Sequence, residues 1–276
     1  MPRSTRSAFA LLFVFLSSAT IPLHAQQMPP TGWNTQLGVG LIANPEFQGS
    51  EDYQLIPIPY FDVRYRDQKG DLLFANVPQG IGGYVYRDRQ PTGRRFDVGL
   101  AIAPGFATRD DEIPGLDEID VATEARLYLS GGTLRWNLTL TLAQDLGTGH
   151  EGAYADLALA RRGRIGRAGF WSFGPTLRFA DSDFADAQYG VSALESVASG
   201  LRPHDAGQGL VSAGVQALAS RPIGKSKWRW TGILAVNGLT GDRGDSPIVE
   251  RRTQAFALMA VTRPFGGAAA AQGGSR

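Results

Sequence analysis

Hydrophobic and polar positions alternate along most of the chain with a period of two. In RFDVGLAIAPG, Phe96, Val98, Leu100 and Ile102 are large and apolar, while Arg95, Asp97, Gly99, Ala101 and Ala103 are charged or small. LRWNLTLTLAQD splits into Leu134, Trp136, Leu138, Leu140 and Leu142 against Arg135, Asn137, Thr139, Thr141 and Ala143, and GFWSFGPTLRFAD divides in the same way. A period of two puts one set on each face of a β-strand. Runs of about ten residues have the length a tilted strand needs to cross the hydrocarbon layer. Weaker copies occupy Trp33–Ala43, Asp71–Val77, Ile81–Tyr86, Ile119–Leu129, Ala153–Arg161, Leu210–Ala219, Trp228–Asn237 and Thr253–Phe265. With QLIPIPYFDVRYRD at Gln54–Asp67 they predict an all-β fold, a closed antiparallel transmembrane barrel of about twelve strands.

A soluble sandwich also alternates, but its outer face is rich in Lys and Glu, whereas the second face here is mostly Gly, Ala, Thr and Ser with a few Arg and Asp. Aromatic residues collect near strand ends, at Trp33, Tyr60, Tyr65, Trp171, Trp228 and Trp230, as expected of girdles at the membrane interfaces. The Gln54–Asp67 run carries Pro57 and Pro59 on its lipid-facing parity. Residues of one parity direct their N–H and C=O groups to one neighbour only, so both missing donors fall on a single seam. The pattern predicts a bulge, a twist or a run projecting beyond its neighbour there.

Two segments break the alternation. TRDDEIPGLDEID at Thr108–Asp120 reads as an acidic loop, and DFADAQYGVSALESVASGLRPHDAG at Asp183–Gly207 reads as a long loop with a short helix near Val191–Ala198. At the N-terminus, Arg3 and Arg6 precede an apolar run from Ala8 to Leu16 and a small Ala25, the layout of a secretory signal peptide over residues 1–25. The expected organisation is therefore this signal, one barrel domain over 26–265 and a flexible tail over 266–276.

The 276-residue chain carries 27 Lys and Arg against 26 Asp and Glu, has no basic tract and contains no cysteine. Nucleic acid, disulfides and thiolate metal sites are excluded as organising features. Beyond the signal no apolar run is long enough for a membrane-spanning helix.

The residues also carry a resemblance. LGVGLIANPEFQGSEDY with the strand that follows, AQYGVSALESVASGLRPHDAG, GLTGDRGDSPIV and a final strand ending at Phe265 are similar to the MipA/OmpV family of outer-membrane proteins. The most specific element comprises Pro45, Phe47, Gly49, Ser50 and Tyr53, continued by Pro57 and Pro59. The resemblance implies a non-enzymatic outer-membrane barrel without a cofactor, acting as a scaffold for murein synthesis and turnover. Its implied partners are a lytic transglycosylase and a bifunctional murein synthase, beside outer-membrane lipid and lipopolysaccharide. A small passive porin or a surface adhesin is the alternative, and a surface hydrolase a lesser one. The family ends on an aromatic residue, whereas GGAAAAQGGSR follows Phe265 here.

Motifs for chemistry are weak. Gly38–Ala43 matches GxGxxA but runs into Asn44-Pro45 with no βαβ unit around it. The sequon Asn137-Leu138-Thr139 lies inside a strand. His150 and His204 stand beside acidic residues in segments expected to be solvated loops, without a positioned serine. The acidic run Asp110, Asp111, Glu112, Asp117, Glu118 and Asp120 lacks calcium-loop spacing. Arg95, Asp97, Glu124, Arg126, Arg135, Asp156 and Arg178 are the expected lumen-lining charges, to pair as plugs or to line a polar path.

Overall fold

The computed structural model describes residues 31–105, 113–166 and 168–266. The signal segment, the tail after Gly266 and Asp110, Asp111 and Glu112 of the acidic run lie outside the described residues. Twelve antiparallel strands form one closed barrel: β1 (Gly32–Pro45), β2 (Tyr53–Asp67), β3 (Gly70–Asn76), β4 (Gly80–Arg89), β5 (Arg95–Pro104), β6 (Thr123–Gly132), β7 (Trp136–Asp145), β8 (Ala153–Ile165), β9 (Gly169–Ala180), β10 (Gly209–Pro222), β11 (Arg229–Leu239) and β12 (Thr253–Gly266). Every strand pairs its sequence neighbours, and β1 closes on β12 from Asn34↔Gly266 to Ala43↔Ala257.

Burial separates a membrane barrel from a sandwich. On β5, Leu100 and Ile102 are about half exposed, at 51% and 49%, while the small Ala101 and Ala103 between them are buried at 7% and 3%. Large apolar side chains face outward and small or charged ones face the lumen, the inverse of a soluble core. Trp33 and Tyr65 sit opposite each other on the outer face with ring centroids 5.2 Å apart, an aromatic pair at one end of the wall. Tyr60 has the inward parity of Asp62 and Arg64 and does not join that girdle.

Five connections, β2–β3, β4–β5, β6–β7, β8–β9 and β10–β11, are short turns at the same end of the barrel. The longer connections gather at the other end. There the 181–208 segment folds into two helices, α1 (Ser182–Tyr189) and α2 (Ala193–Ser199), and the 240–252 segment carries the single turn α3 (Gly241–Gly244). Only α2 falls where the sequence predicted a helix. It starts with a capping box, Ser192 accepting from the Glu195 N–H while Glu195 accepts from the Ser192 N–H, and ends on Gly200 at φ 76°. The helix α1 starts at Asp181, whose carboxylate takes the Phe184 N–H at 2.9 Å and the Ala153 N–H at 2.8 Å.

The prolines of β2 do project beyond a neighbour. The ladder to β1 runs unbroken from Gly32↔Arg66 to Pro45↔Tyr53, whereas the ladder to β3 begins only at Asp62↔Asn76. Residues 53–61 therefore have a strand on one side alone.

Candidate functional site

The long-loop end is roofed. The helix α1 drops into the barrel mouth, burying Phe184, Ala185 and Tyr189 with Ala180, Ala206, Val211 and Leu239. Beside it, Phe47 from the β1–β2 loop packs with Val191 and Ile248, and Ile113, Leu116 and Leu201 close over them. Polar bonds fasten the apolar contacts. Arg243 of α3, 8% exposed, donates to the carbonyls of Ala206, Gly207 and Leu210 at 2.8, 3.2 and 2.8 Å, and the Asp186 carboxylate takes the N–H groups of Ala206 and Gly207.

The β1–β2 loop is latched onto the loop before β12. Gly49 accepts the Glu250 and Arg251 N–H groups at 3.0 and 2.9 Å, Gln254 bridges the Gly49 N–H and the Ser50 carbonyl, and the Tyr53 hydroxyl accepts the Ala255 N–H. Gly49 has φ 111°, and a Cβ there would stand 2.8 Å from Val249 Cγ2. The motif spacing thus builds a clasp above the β1–β12 seam.

Beneath the roof the lumen has two halves. On the β3–β6 side it is filled: Phe74 packs on Tyr84 and Tyr128 at 5.3 and 6.2 Å between ring centroids. Charged side chains continue the filling toward the short turns, where Arg64 bonds Asp62 and Asp71 at 2.6 and 3.0 Å and Arg87 grips both oxygens of Asp67 at 2.7 Å. On the β7–β12 side a polar cavity of about 610 Å3 remains, lined by Asn137, Thr139, Gln216 and Asn237. It touches Tyr189 of the roof and extends to Gln48 and to Pro78 of the β3–β4 turn.

The structure places six of the sequence-predicted charges on the lumen side. Arg178 and Asp156 form a two-pronged pair, both contacts 2.7 Å, with the guanidinium 4.4 Å from the Tyr154 ring centroid. Arg126 pairs with Glu124 at 2.7 Å and reaches the carbonyls of Pro78 and Pro104. Asp97 meets Arg89 at 2.5 Å, and Arg95 donates to Asn137 at 2.8 Å. Arg135 is different: it lies in the β6–β7 turn, exposed, because the chain has already left the sheet at Thr133.

His150 overturns the solvated-loop expectation. It is 1% exposed, its Nε2 lies 3.2 Å from Glu124 Oε1, and its Nδ1 accepts the Gly152 N–H at 3.2 Å, which puts the ring proton on Nε2. Glu124 Oε2 also takes the Tyr154 hydroxyl at 2.9 Å, and the imidazole stands edge-on to Phe184 at 4.8 Å. Both ring nitrogens are occupied and neither meets a hydroxyl nucleophile, so this Glu–His pair supports α1 structurally. His204 bonds the Asp242 carbonyl within the roof. Among the described residues no group of three or more acidic, His or Cys side chains is arranged to hold a metal ion. The signal for the β1–β2 clasp was present in the motif spacing; His150 offered none, since its burial comes from a helix without clear periodicity.

The two ends differ in charge. The described residues of the five short turns include Lys69, Arg94, Arg135, Lys225 and Lys227, all exposed, and no Asp or Glu. The long-loop end exposes Glu51, Asp117, Glu118, Asp183, Asp205, Asp245 and Glu250, which outnumber its exposed Arg202, Arg251 and Arg252. A chain of near-zero net charge is thus polarised along the barrel axis.

The family described as MltA-interacting protein MipA matches residues 37–265, from β1 to the end of β12. The chain belongs to the MipA family. With the closed barrel and its outward apolar face, membership makes it an outer-membrane barrel protein. The clasp, the roof helices and the stretch around α3 all fall within the matched region. No curated protein matches the chain. Among solved structures, the crystal structure of Pseudomonas aeruginosa OccK8 (OprE) is similar over 85% of this chain and 98% of that one, at 7% identity and a TM-score of 0.30, which adds nothing to the fold described above.

Proposed function

We propose that this protein is a non-enzymatic outer-membrane scaffold whose short-turn end docks murein-processing enzymes. Outer-membrane barrels direct short turns to the periplasm and long loops outward, so the cationic turn end would face the murein layer. The observation that carries the reading is the all-cationic set of turns, Lys69, Arg94, Arg135, Lys225 and Lys227, a surface complementary to an acidic partner. The family description names the interaction partner MltA, and the sequence resemblance adds a lytic transglycosylase and a bifunctional murein synthase as partner classes. The roof over the long-loop end speaks against an open pore, while the polar cavity beneath it is what favours the passive-pore alternative.

The test is affinity capture from solubilised envelopes with the intact chain and with a Lys69→Glu, Lys225→Glu, Lys227→Glu variant. The intact chain is expected to enrich a lytic transglycosylase or murein synthase, and the variant to capture at least ten times less. Equal capture by both, or none by the intact chain, refutes the scaffold reading; conductance above bare lipid in planar bilayers would support the pore instead.

A further inference from the structure

β3 is too short for the wall it belongs to. Its seven residues, Gly70–Asn76, at about 3.3 Å each and a tilt near 40°, rise roughly 17 Å, against an apolar band about 25 Å tall. β3 and β4 stop together at the Asn76↔Gly80 pair, and the turn between them is drawn into the lumen. Arg126 donates to the Pro78 carbonyl at 3.0 Å and Tyr128 to the Gln79 carbonyl at 2.9 Å. Above this turn, β2 stands beside a notch.

The height of the notch follows from the register. Pro59 and Pro57 lie opposite Val39 and Leu41 of β1, which in turn face Val261 and Met259 of β12, all in the lipid-facing set. Counted from the Trp33–Tyr65 aromatic pair, Pro57 is eight residues up, roughly 20 Å along the membrane normal. The opening therefore falls in the half of the apolar band nearest the long loops. From Leu55 to Phe61 the bordering run carries no charge on either face, and Ile56, on the lumen-side parity, is still 37% exposed.

Another strand does not fit the open edge. The β1 ladder is regular through both prolines, so the N–H groups they lack would have pointed to the notch. At two successive edge positions β2 offers a carbonyl and no donor, and an added strand would leave its own carbonyls unpaired there. A bare carbonyl edge is tolerated better than bare N–H groups, and a flexible hydrocarbon chain asks for no donors. Pro78, in the turn that floors the notch, lines the polar cavity of about 610 Å3, which Tyr189 of the roof also lines. An apolar slot above a turn that itself lines a roofed polar chamber matches a molecule with one hydrocarbon tail and a polar head.

We propose that the notch between β2 and the β3–β4 turn is a lateral portal through which a single-chain amphipath passes between the outer leaflet and the lumen cavity. The portal is independent of any partner at the short-turn end. Since the chain has no cysteine, single-cysteine variants label uniquely. Full-length protein in vesicles, labelled with bimane at Asn237→Cys in the cavity or at Leu234→Cys on the lipid face, is exposed to doxyl-stearic acid and, separately, to two-chain doxyl-phosphatidylcholine. Leu234→Cys is expected to be quenched by both, Asn237→Cys by the fatty acid alone. Adding Ile58→Arg, or Ile56→Arg should the first fail to show folded heat-modifiable mobility, is expected to slow quenching at Asn237→Cys at least tenfold. An unquenched Asn237→Cys, or quenching indifferent to either arginine, overturns the portal. So does disulfide-linked dimer formation through Leu55→Cys, which would show the edge occupied by a second copy.

Discussion

Ser246 donates its hydroxyl to the main-chain carbonyl of Tyr189 at 2.5 Å, tying the loop before β12 to the last residue of α1. Both residues are buried, so the bond fastens the roof from within. Ser246→Ala is expected to weaken roof docking by about 1 kcal/mol, roughly a fivefold rise in the open fraction. Limited proteolysis of the 181–208 segment in folded protein measures this, with heat-modifiable mobility of the barrel unchanged.

Arg243 should matter more. Removing its guanidinium strips the carbonyls of Ala206, Gly207 and Leu210 of their shared donor. Arg243→Leu is expected to cost about 3 kcal/mol, near a hundredfold in the same proteolysis rate. Arg243→Lys should restore only part of it, because an ammonium cannot reproduce the planar fork.

Glu124 is a hub whose loss strands its neighbours. Arg126, His150 and Tyr154 all bond its carboxylate, and it is 1% exposed. Glu124→Gln is expected to lower unfolding stability by about 3 kcal/mol in urea titrations in detergent micelles. Glu124→Gln with Arg126→Met should cost at least about 1 kcal/mol less than the sum of the single changes, as members of one network do.

The clasp above the β1–β12 seam rests on Gly49. Gly49→Ala sets a Cβ against Val249 in a left-handed backbone and is expected to cost about 1–3 kcal/mol. The readout is a lower temperature for the shift in heat-modifiable mobility. Gly147→Ala, where the nearest atom to a Cβ is Asp145 Oδ1 at 3.6 Å, should leave that temperature in place.

Tyr189 gives the roof an alkaline limit. Burial pushes its phenol from 10.0 up to about 12. A raised value means that the stability it contributes is full below the unfolded value and is lost as the pH rises from about 10 through about 12. The absorbance difference between the intact protein and Tyr189→Phe should titrate near 12, and proteolysis of the roof should accelerate over the same interval.

The strands were legible because outward Leu100 and inward Ala101 differ at every step, and the lipid demands that contrast along the whole wall. The prolines of β2 were legible too, since a missing donor has a direction. Arg135 differs because the sequence keeps its parity past the residue where the strand ends. Tyr60 fits the girdle by residue type alone, although its parity with Asp62 faces it inward. The roof was the least visible part. The helix α1 has little amphipathic contrast, and His150 is buried only because Phe184, brought from a distant segment, lies on it.

The β1–β12 seam joins Asn34 to Gly266, so the largest loop-closure entropy in the fold falls on its first and last strands. None of that ladder can form before β12 has been synthesised and delivered. The contact between Gly49 and Arg251 joins residues almost as far apart in sequence and sits directly above it. Closing the cylinder and seating the clasp are therefore one event, and the topology makes it the last that folding can complete.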